Sequence, residues 1–340
     1  MEGKHIIRKD FQLTNKRNLK LECSHWEPVN RVQEKLPCVI YLHGNSSSRV
    51  ESLQTLKVLL PNNITVFSFD FAGCGLSEGE YISLGWYERD DVDYVVDYLR
   101  KTEKVLTIGL WGRSMGAVTA IMHADRDPSI AGIVLDSPFS NLRELSLELA
   151  TKHSNVPKLL IKGALGLIRK TIKERAKFDI DDISPIDHVK QAFIPAFFIV
   201  GNKDDFIDPT HTEKMYAAYA GDKNISRDSN GDHNSPRPSY IIDSVGIFFY
   251  NTLQCQLLPV GEDKKEQFEG PQFNPMKMPK IGNEKEVQGL FGMSEEEQMA
   301  KAIEESLKLS AEPKAPEKPP EPPKEEEKSS KPKPNPNPPK

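Results

Sequence analysis

The stretch VLTIGLWGRSMGAVTAIMHAD, residues 105–125, decides the architecture. Its first half is an apolar run of strand length and its second half is helix-forming, so Gly112-Arg113-Ser114-Met115-Gly116 falls on a strand-to-helix turn. A serine there is lifted above the end of a sheet on a strained backbone, and the flanking glycines let strand and helix approach without a Cβ clash. A helix N-terminus also offers free N–H groups and a positive dipole end, which favour a developing oxyanion. An isolated serine in such a place can simply cap the helix; the strand before it and the helix after it make Ser114 a candidate nucleophile.

Outward from this turn, short β-branched or aromatic runs alternate with longer amphipathic stretches over residues 5–255. Residues 5–14 and 19–26 read as a hairpin. Strands follow at 37–44, 64–71, 105–112, 130–138 and 195–201, with a short run at 224–228. Helices are expected near 49–60, 86–101, 114–125, 210–220 and 238–253, and a Leu- and Lys-rich helical insert over 139–185. Continuous apolar strands such as CVIYL and AFFIV imply burial on both faces, hence a mostly parallel sheet with helices on both sides.

A serine hydroxyl needs a base, and the base an orienting carboxylate. After the strand PAFFIVG come Asp204, Asp205 and Asp208, and Gly231-Asp232-His233-Asn234 precedes the last helix; an acid at a strand's carboxyl end can reach a histidine on the next loop. His233 is therefore the candidate base. His5, His25, His123, His153, His188 and His211 lack such a turn, and each reads as structural or solvated. Two backbone donors would hold an oxyanion: the N–H of Met115, after the nucleophile, and that of Asn45, in the His43-Gly44-Asn45 turn after PCVIYL.

These residues carry a resemblance. Residues 5–255 resemble an α/β-hydrolase of the serine aminopeptidase S33 or acyl-hydrolase domain type, through HGN at 43–45, FDFAGCGLSEG at 69–79 with Asp70, Gly73, Gly75 and Ser77, GRSMG at 112–116, GNKDDFID at 201–208 and GDHN at 231–234. The resemblance implies an α/β-hydrolase fold over residues 1–258, with a small helical cap at about 139–186. It places the acid of a Ser-His-Asp triad at Asp204, with Asp205 in reserve, and implies no metal or cofactor. Ala117 replaces the usual glycine after the motif, and the oxyanion loop HGNSSSR is serine-rich. The implied activity is cleavage of an ester, thioester or amide in a small molecule or an acylated protein, esterase chemistry being preferred to a serine peptidase.

Within the cap, VPKLLIKGALGLIRKTIK (156–173) is basic and amphipathic; it reads as a helix packed on the core with a solvated basic face rather than as a membrane contact. Cys74 reads as filler, and Asp90, Asp91, Asp93 and Asp97 as a solvated helix face rather than a metal cluster.

The remaining composition is uneven. Of 26 prolines, residues 259–340 hold 15, with three Phe and no Trp or Tyr, too little apolar surface to offset the entropy of ordering such a chain. A formal net charge of −5 argues against a nucleic-acid partner. Four cysteines scattered without CxxC spacing, no apolar run of membrane-spanning length and a charged start point to a cytoplasmic protein. Residues 259–292 read as linker and 311–340 as a disordered Pro-, Lys- and Glu-rich tail. Between them residues 293–310, SEEEQMAKAIEESLKLS after Met293, form an amphipathic helix opened by a capping box from Ser294 to Glu297. That helix is similar to a ubiquitin-interacting motif. The acids would be Glu295, Glu296 and Glu297, the apolar face Met299, Ile303 and Leu307, and the small contact residues Ala302 and Ser306. The resemblance implies ubiquitin or ubiquitinated proteins as partners, and leaves open a catalytically inactive ubiquitin-binding adaptor on a hydrolase scaffold.

Overall fold

The computed structural model describes residues 4–153 and 156–259. Eight strands form one sheet: β1 (Ile6–Thr14), β2 (Lys20–Pro28), β3 (Leu36–Leu42), β4 (Thr65–Phe69), β5 (Val105–Arg113), β6 (Gly132–Asp136), β7 (Ala196–Gly201) and β8 (Lys223–Asp228). Their order is β1-β2-β4-β3-β5-β6-β7-β8. The hairpin β1–β2 joins β4 antiparallel, and all later pairs are parallel. The connecting helices are α1 (Leu56–Leu59), α2 (Glu88–Lys101), α3 (Met115–Ala124), α4 (Leu142–His153), α5 (Lys158–Arg175), α6 (Pro185–His188), α7 (Pro209–Ala218) and α8 (Ser239–Thr252). The eight-stranded sheet, parallel through its centre and wrapped by helices, is the α/β-hydrolase fold.

Period-two alternation divides the core into two layers. On β3, Cys38, Ile40 and Leu42 join Val92, Val95 and Val96 of α2 and Ala117, Ala120 and Ile121 of α3 on one face. Val39 and Tyr41 face the other way, among Leu56 and Leu59 of α1 and Ile241, Val245 and Phe249 of α8. Every residue of β3, β6 and β7 is buried, as a strand covered on both faces must be.

Three details depart from the sequence expectations. The helix expected near 49–60 is a 3-10 turn over Arg49–Thr55, a single α-turn and a second 3-10 turn over Leu60–Asn62, because Pro61 cannot continue an α-helical ladder and Asn63 closes the segment in a left-handed conformation. Asp91 does not belong to a solvated face. It is buried and accepts from Asn15 Nδ2 at 2.7 Å and Arg17 at 3.0 Å, tying the β1–β2 turn to α2. Burial raises its carboxyl above the ordinary value, against the lowering by Arg17. In the cap, α5 buries Ile161 and Leu165, but its outward side carries Leu159, Leu160 and Leu167 as well as lysines, so its solvent face is not purely basic.

The cap is joined to the body by a third apolar cluster, in which Val118 and Met122 of α3 meet Phe139, Leu142, Leu145 and Leu149 at and along α4, with Phe178, Ile180, Phe206 and Ile207. All four cysteines are buried free thiols; burial pushes Cys74 up to about 12, as suits a filler rather than a reactive thiol. No helix among the described residues is long and apolar enough to cross a membrane. The ubiquitin-interacting-motif-like helix at 293–310, its linker and the tail at 311–340 lie outside the described residues.

Candidate active site

Ser114 stands between β5 and α3 with φ 51° and ψ −117°, a backbone that an L-residue adopts only under constraint. The constraint is local packing. A Cβ on Gly116 would lie 2.0 Å from the Leu42 carbonyl oxygen, and one on Gly112 would lie 2.3 Å from that of Gly116, so only glycine lets α3 start this close to β3 and β5. The Ser114 N–H donates to the Asp136 carbonyl at 2.8 Å, fixing the turn to β6. The side chain makes no cap to α3; its Oγ lies 3.1 Å from His233 Nε2.

The chain of contacts continues. His233 Nδ1 is 2.7 Å from Asp204 Oδ2, and the other oxygen of Asp204 accepts from the backbone N–H of Phe206 at 3.1 Å and of Ile207 at 2.8 Å. With a carboxylate at Nδ1, the ring proton belongs on Nδ1 and Nε2 is free to accept from the serine, an assignment from the hydrogen-bond network. Ser114, Asp204 and His233 are all buried. Of the three acids in the loop, Asp205 is 73% exposed and turned towards Lys152, and Asp208 caps α7 through the Thr210 N–H. Of the three, Asp204 is the one whose carboxylate is hydrogen-bonded to His233.

Packing and a buried ion pair help hold the His233 loop. The Phe206 ring packs on the imidazole, with centroids 5.1 Å apart. Behind the loop, Arg237 donates to both oxygens of Asp136 at 2.8–3.1 Å and to the Asp232 carbonyl at 3.0 Å, in a pair buried at both ends. Sequence reasoning missed Asp136 and Arg237, because no spacing links residues 101 positions apart. The one available signal was a charged residue ending an otherwise apolar strand.

On the opposite side of Ser114, β3 runs in register with β5, Leu42 beside Gly112. His43 accepts from the Phe71 N–H at Nε2 (3.1 Å) and faces the Gly44 carbonyl at Nδ1 (2.7 Å); burial lowers its pKa and keeps the ring neutral. The Gly44 carbonyl also accepts from Ser47 N–H at 3.3 Å. A trans peptide sends its N–H opposite its carbonyl, so these contacts direct the Asn45 amide away from His43. Met115 opens α3, where an amide has no intrahelical partner. The nearby turn is locked by Asp70, which accepts from the N–H groups of Arg49 at 2.6 Å and Leu76 at 2.9 Å and pairs with the Arg49 guanidinium. Gly75 crosses this carboxylate at φ 54°, and a Cβ there would lie 2.3 Å from Asp70 Oδ2.

Comparison with known proteins bears on this arrangement. The family model for serine aminopeptidase, S33, matches residues 33–190. The uncharacterized protein YqkD of Bacillus subtilis (strain 168) is 30% identical over 198 residues, 57% of this chain and 64% of that one. The monoglyceride lipase of Homo sapiens is 32% identical over 185 residues, 52% of this chain and 57% of that one. The matches thus span less than two thirds of either curated relative. Among solved structures, the Pyrococcus furiosus esterase Pf2001 superposes with a TM-score of 0.57 at 24% identity, over 72% of this chain and 93% of that one, a likeness of fold.

Proposed function

We propose that the chain, which has the α/β-hydrolase fold and matches the serine aminopeptidase S33 model over residues 33–190, is a serine hydrolase that cleaves ester or thioester bonds through an acyl-enzyme. The observation that carries the reading is the unbroken contact from Ser114 Oγ through His233 to Asp204, all three buried. Ser114 attacks the substrate carbonyl carbon as His233 Nε2 takes its proton. The oxyanion accepts from the Asn45 and Met115 N–H groups. Collapse breaks the acyl bond, and His233 returns the proton to the leaving alcohol or thiol. Water then repeats the sequence on the acyl-serine and releases the acid. Asp204 keeps the imidazole in the required tautomer and stabilises the imidazolium.

The ester preference over a peptidase draws on the similarity to a monoglyceride lipase, and on the apolar cluster of cap and body adjoining α3 and the Asp204 loop. The 293–310 helix is proposed to bind ubiquitin through Met299, Ala302, Ile303, Ser306 and Leu307, and so to direct the hydrolase to ubiquitinated material. The test is fluorophosphonate labelling of the full chain beside a panel of p-nitrophenyl acyl esters and aminoacyl amides. Labelling lost in Ser114→Ala, with turnover of esters, supports the reading. A folded chain that takes up no probe is instead the adaptor, and turnover of amides alone makes it a peptidase.

A further inference from the structure

One ion pair spans the two loops that flank Ser114. Glu51, in the 3-10 turn after β3, accepts from the Gly44 N–H through Oε2 at 3.0 Å and from the Tyr41 hydroxyl through Oε1 at 3.1 Å. The same Oε1 is 3.1 Å from a terminal nitrogen of Arg113, the residue before Ser114. The other terminal nitrogen of Arg113 donates to the His233 carbonyl and to Asn234 Oδ1, both at 2.8 Å. The two side chains are 16% and 13% exposed, so water competes for the pair only in part. Burial opposes the Glu51 charge, but Arg113, with donors from Ser47 and Gly44, holds the carboxyl below its ordinary value and hence ionised at neutral pH.

We propose that Arg113 and Glu51 are a positioning pair, one salt bridge setting both the Asn45 amide and the His233 imidazole relative to Ser114; this rests on the serine-hydrolase reading above. Neither side chain touches the reacting atoms. The Glu51 end holds Gly44 at its N–H, while His43 and Ser47 hold the same residue at its carbonyl, so the peptide that presents Asn45 N–H is fixed on both sides. The Arg113 end holds the His233 main chain, where Asp204 and Phe206 hold only the ring. Because Arg113 is joined covalently to the nucleophile, a displacement of either loop is measured against Ser114 itself. Errors near 1 Å in such an arrangement cost about 10²-fold in rate, whereas a partly exposed ion pair contributes little to stability.

The test uses the full chain with p-nitrophenyl butyrate and a trifluoromethyl ketone as transition-state analogue. Arg113→Met and Glu51→Gln should each lower kcat about 10–100-fold with KM within about 3-fold, and the affinity for the ketone should fall in parallel with kcat/KM. The double variant should be no slower than the worse single one, since both substitutions break the same device, and Arg113→Lys should recover part of the loss. Glu51→Gln retains an acceptor for Gly44 and removes only the ion pair, so it carries the test if Arg113→Met does not fold. Unchanged kcat in both variants, losses confined to KM, or losses that multiply in the double variant would overturn the pair while leaving the hydrolase reading intact. A wild type that neither turns over the ester nor takes up fluorophosphonate would remove both.

Discussion

At the residue scale, the neighbouring aspartates make the sharpest contrast. Asp204 accepts two backbone N–H groups with one oxygen and faces His233 with the other, while Asp205 is exposed against Lys152. Asp204→Asn should lower kcat on an acyl ester about 10³–10⁴-fold, by turning the imidazole to the wrong tautomer, and Asp205→Asn should change it less than about 2-fold; steady-state kinetics on the pair decides between them. The sequence alone offered three acids in this loop, and the choice among them required a family resemblance, because which carboxylate turns inward is set by the loop's own hydrogen bonds. A second residue-scale effect is on stability. Burial lowers the His25 pKa to about 4, below its ordinary 6.5, while Lys9 and Arg31 overcome the burial of Glu27 and lower it to about 2, below its ordinary 4.5. In both cases the unfolded chain binds more protons than the folded one. Stability should therefore fall with pH from about 6.5 towards 4 through His25, and from about 4.5 towards 2 through Glu27. Denaturant midpoints measured from pH 7 to 5 should decline in the wild type and less steeply in His25→Gln, the remaining slope coming from His43 and His123, whose pKa values burial also lowers; a slope equal in both would assign the decline to those two.

At the scale of elements, what the chain made legible was periodicity. Strands β3 to β7 and helices α2, α3, α7 and α8 occur where apolar runs and 3.6-residue stripes indicate them, since burial against both faces of one sheet enforces those patterns. The break at Leu60–Asn62 was legible in Pro61, but the 3-10 turn over Arg49–Thr55 was not, because the Asp70 carboxylate that accepts from the Arg49 N–H comes from a distant loop. The α5 helix was legible as amphipathic but not in its outer face, where leucines share the surface with lysines and only packing shows which stripe is buried. The contact between α3 and β3 gives the clearest test at this scale. Gly116→Ala places a Cβ against two main-chain oxygens, those of Leu42 at 2.0 Å and His43 at 2.8 Å, where no side chain can move aside. The helix must retreat from the sheet, so this single methyl should cost at least the ~1–3 kcal/mol of an overpacked core and abolish labelling of Ser114, whereas Gly163→Ala on α5, whose Cβ has open space, should leave stability unchanged or slightly raised. Urea titration of the two variants separates the outcomes.

At the scale of the whole molecule, the described body and the sequence beyond it differ in composition. Residues 4–259 supply both faces of the sheet, the cap cluster and every group of the proposed site, from Asn45 to His233. The end of the described residues packs into that body: Leu253 and Cys255 belong to the α8-side core, and the Leu253 carbonyl accepts from Thr107 Oγ1 at 3.2 Å. Beyond Pro259 come 14 of the chain's 26 prolines and no Trp or Tyr, a composition poor in the residues that build a core. Catalysis and partner choice should therefore separate. A chain ending at Pro259 should retain kcat/KM on p-nitrophenyl butyrate within about 2-fold and its thermal midpoint within the ~2–4 °C expected of a change near 1 kcal/mol. The same cut should remove all ubiquitin binding, and in the full chain Ala302→Arg should remove it with ester turnover unchanged, because a long cation in place of a small contact residue blocks close approach to an apolar patch. NMR titration of labelled ubiquitin against the three proteins reads the second property and ester kinetics the first. A truncated chain that loses turnover while staying folded would mean that the segment takes part in the site itself.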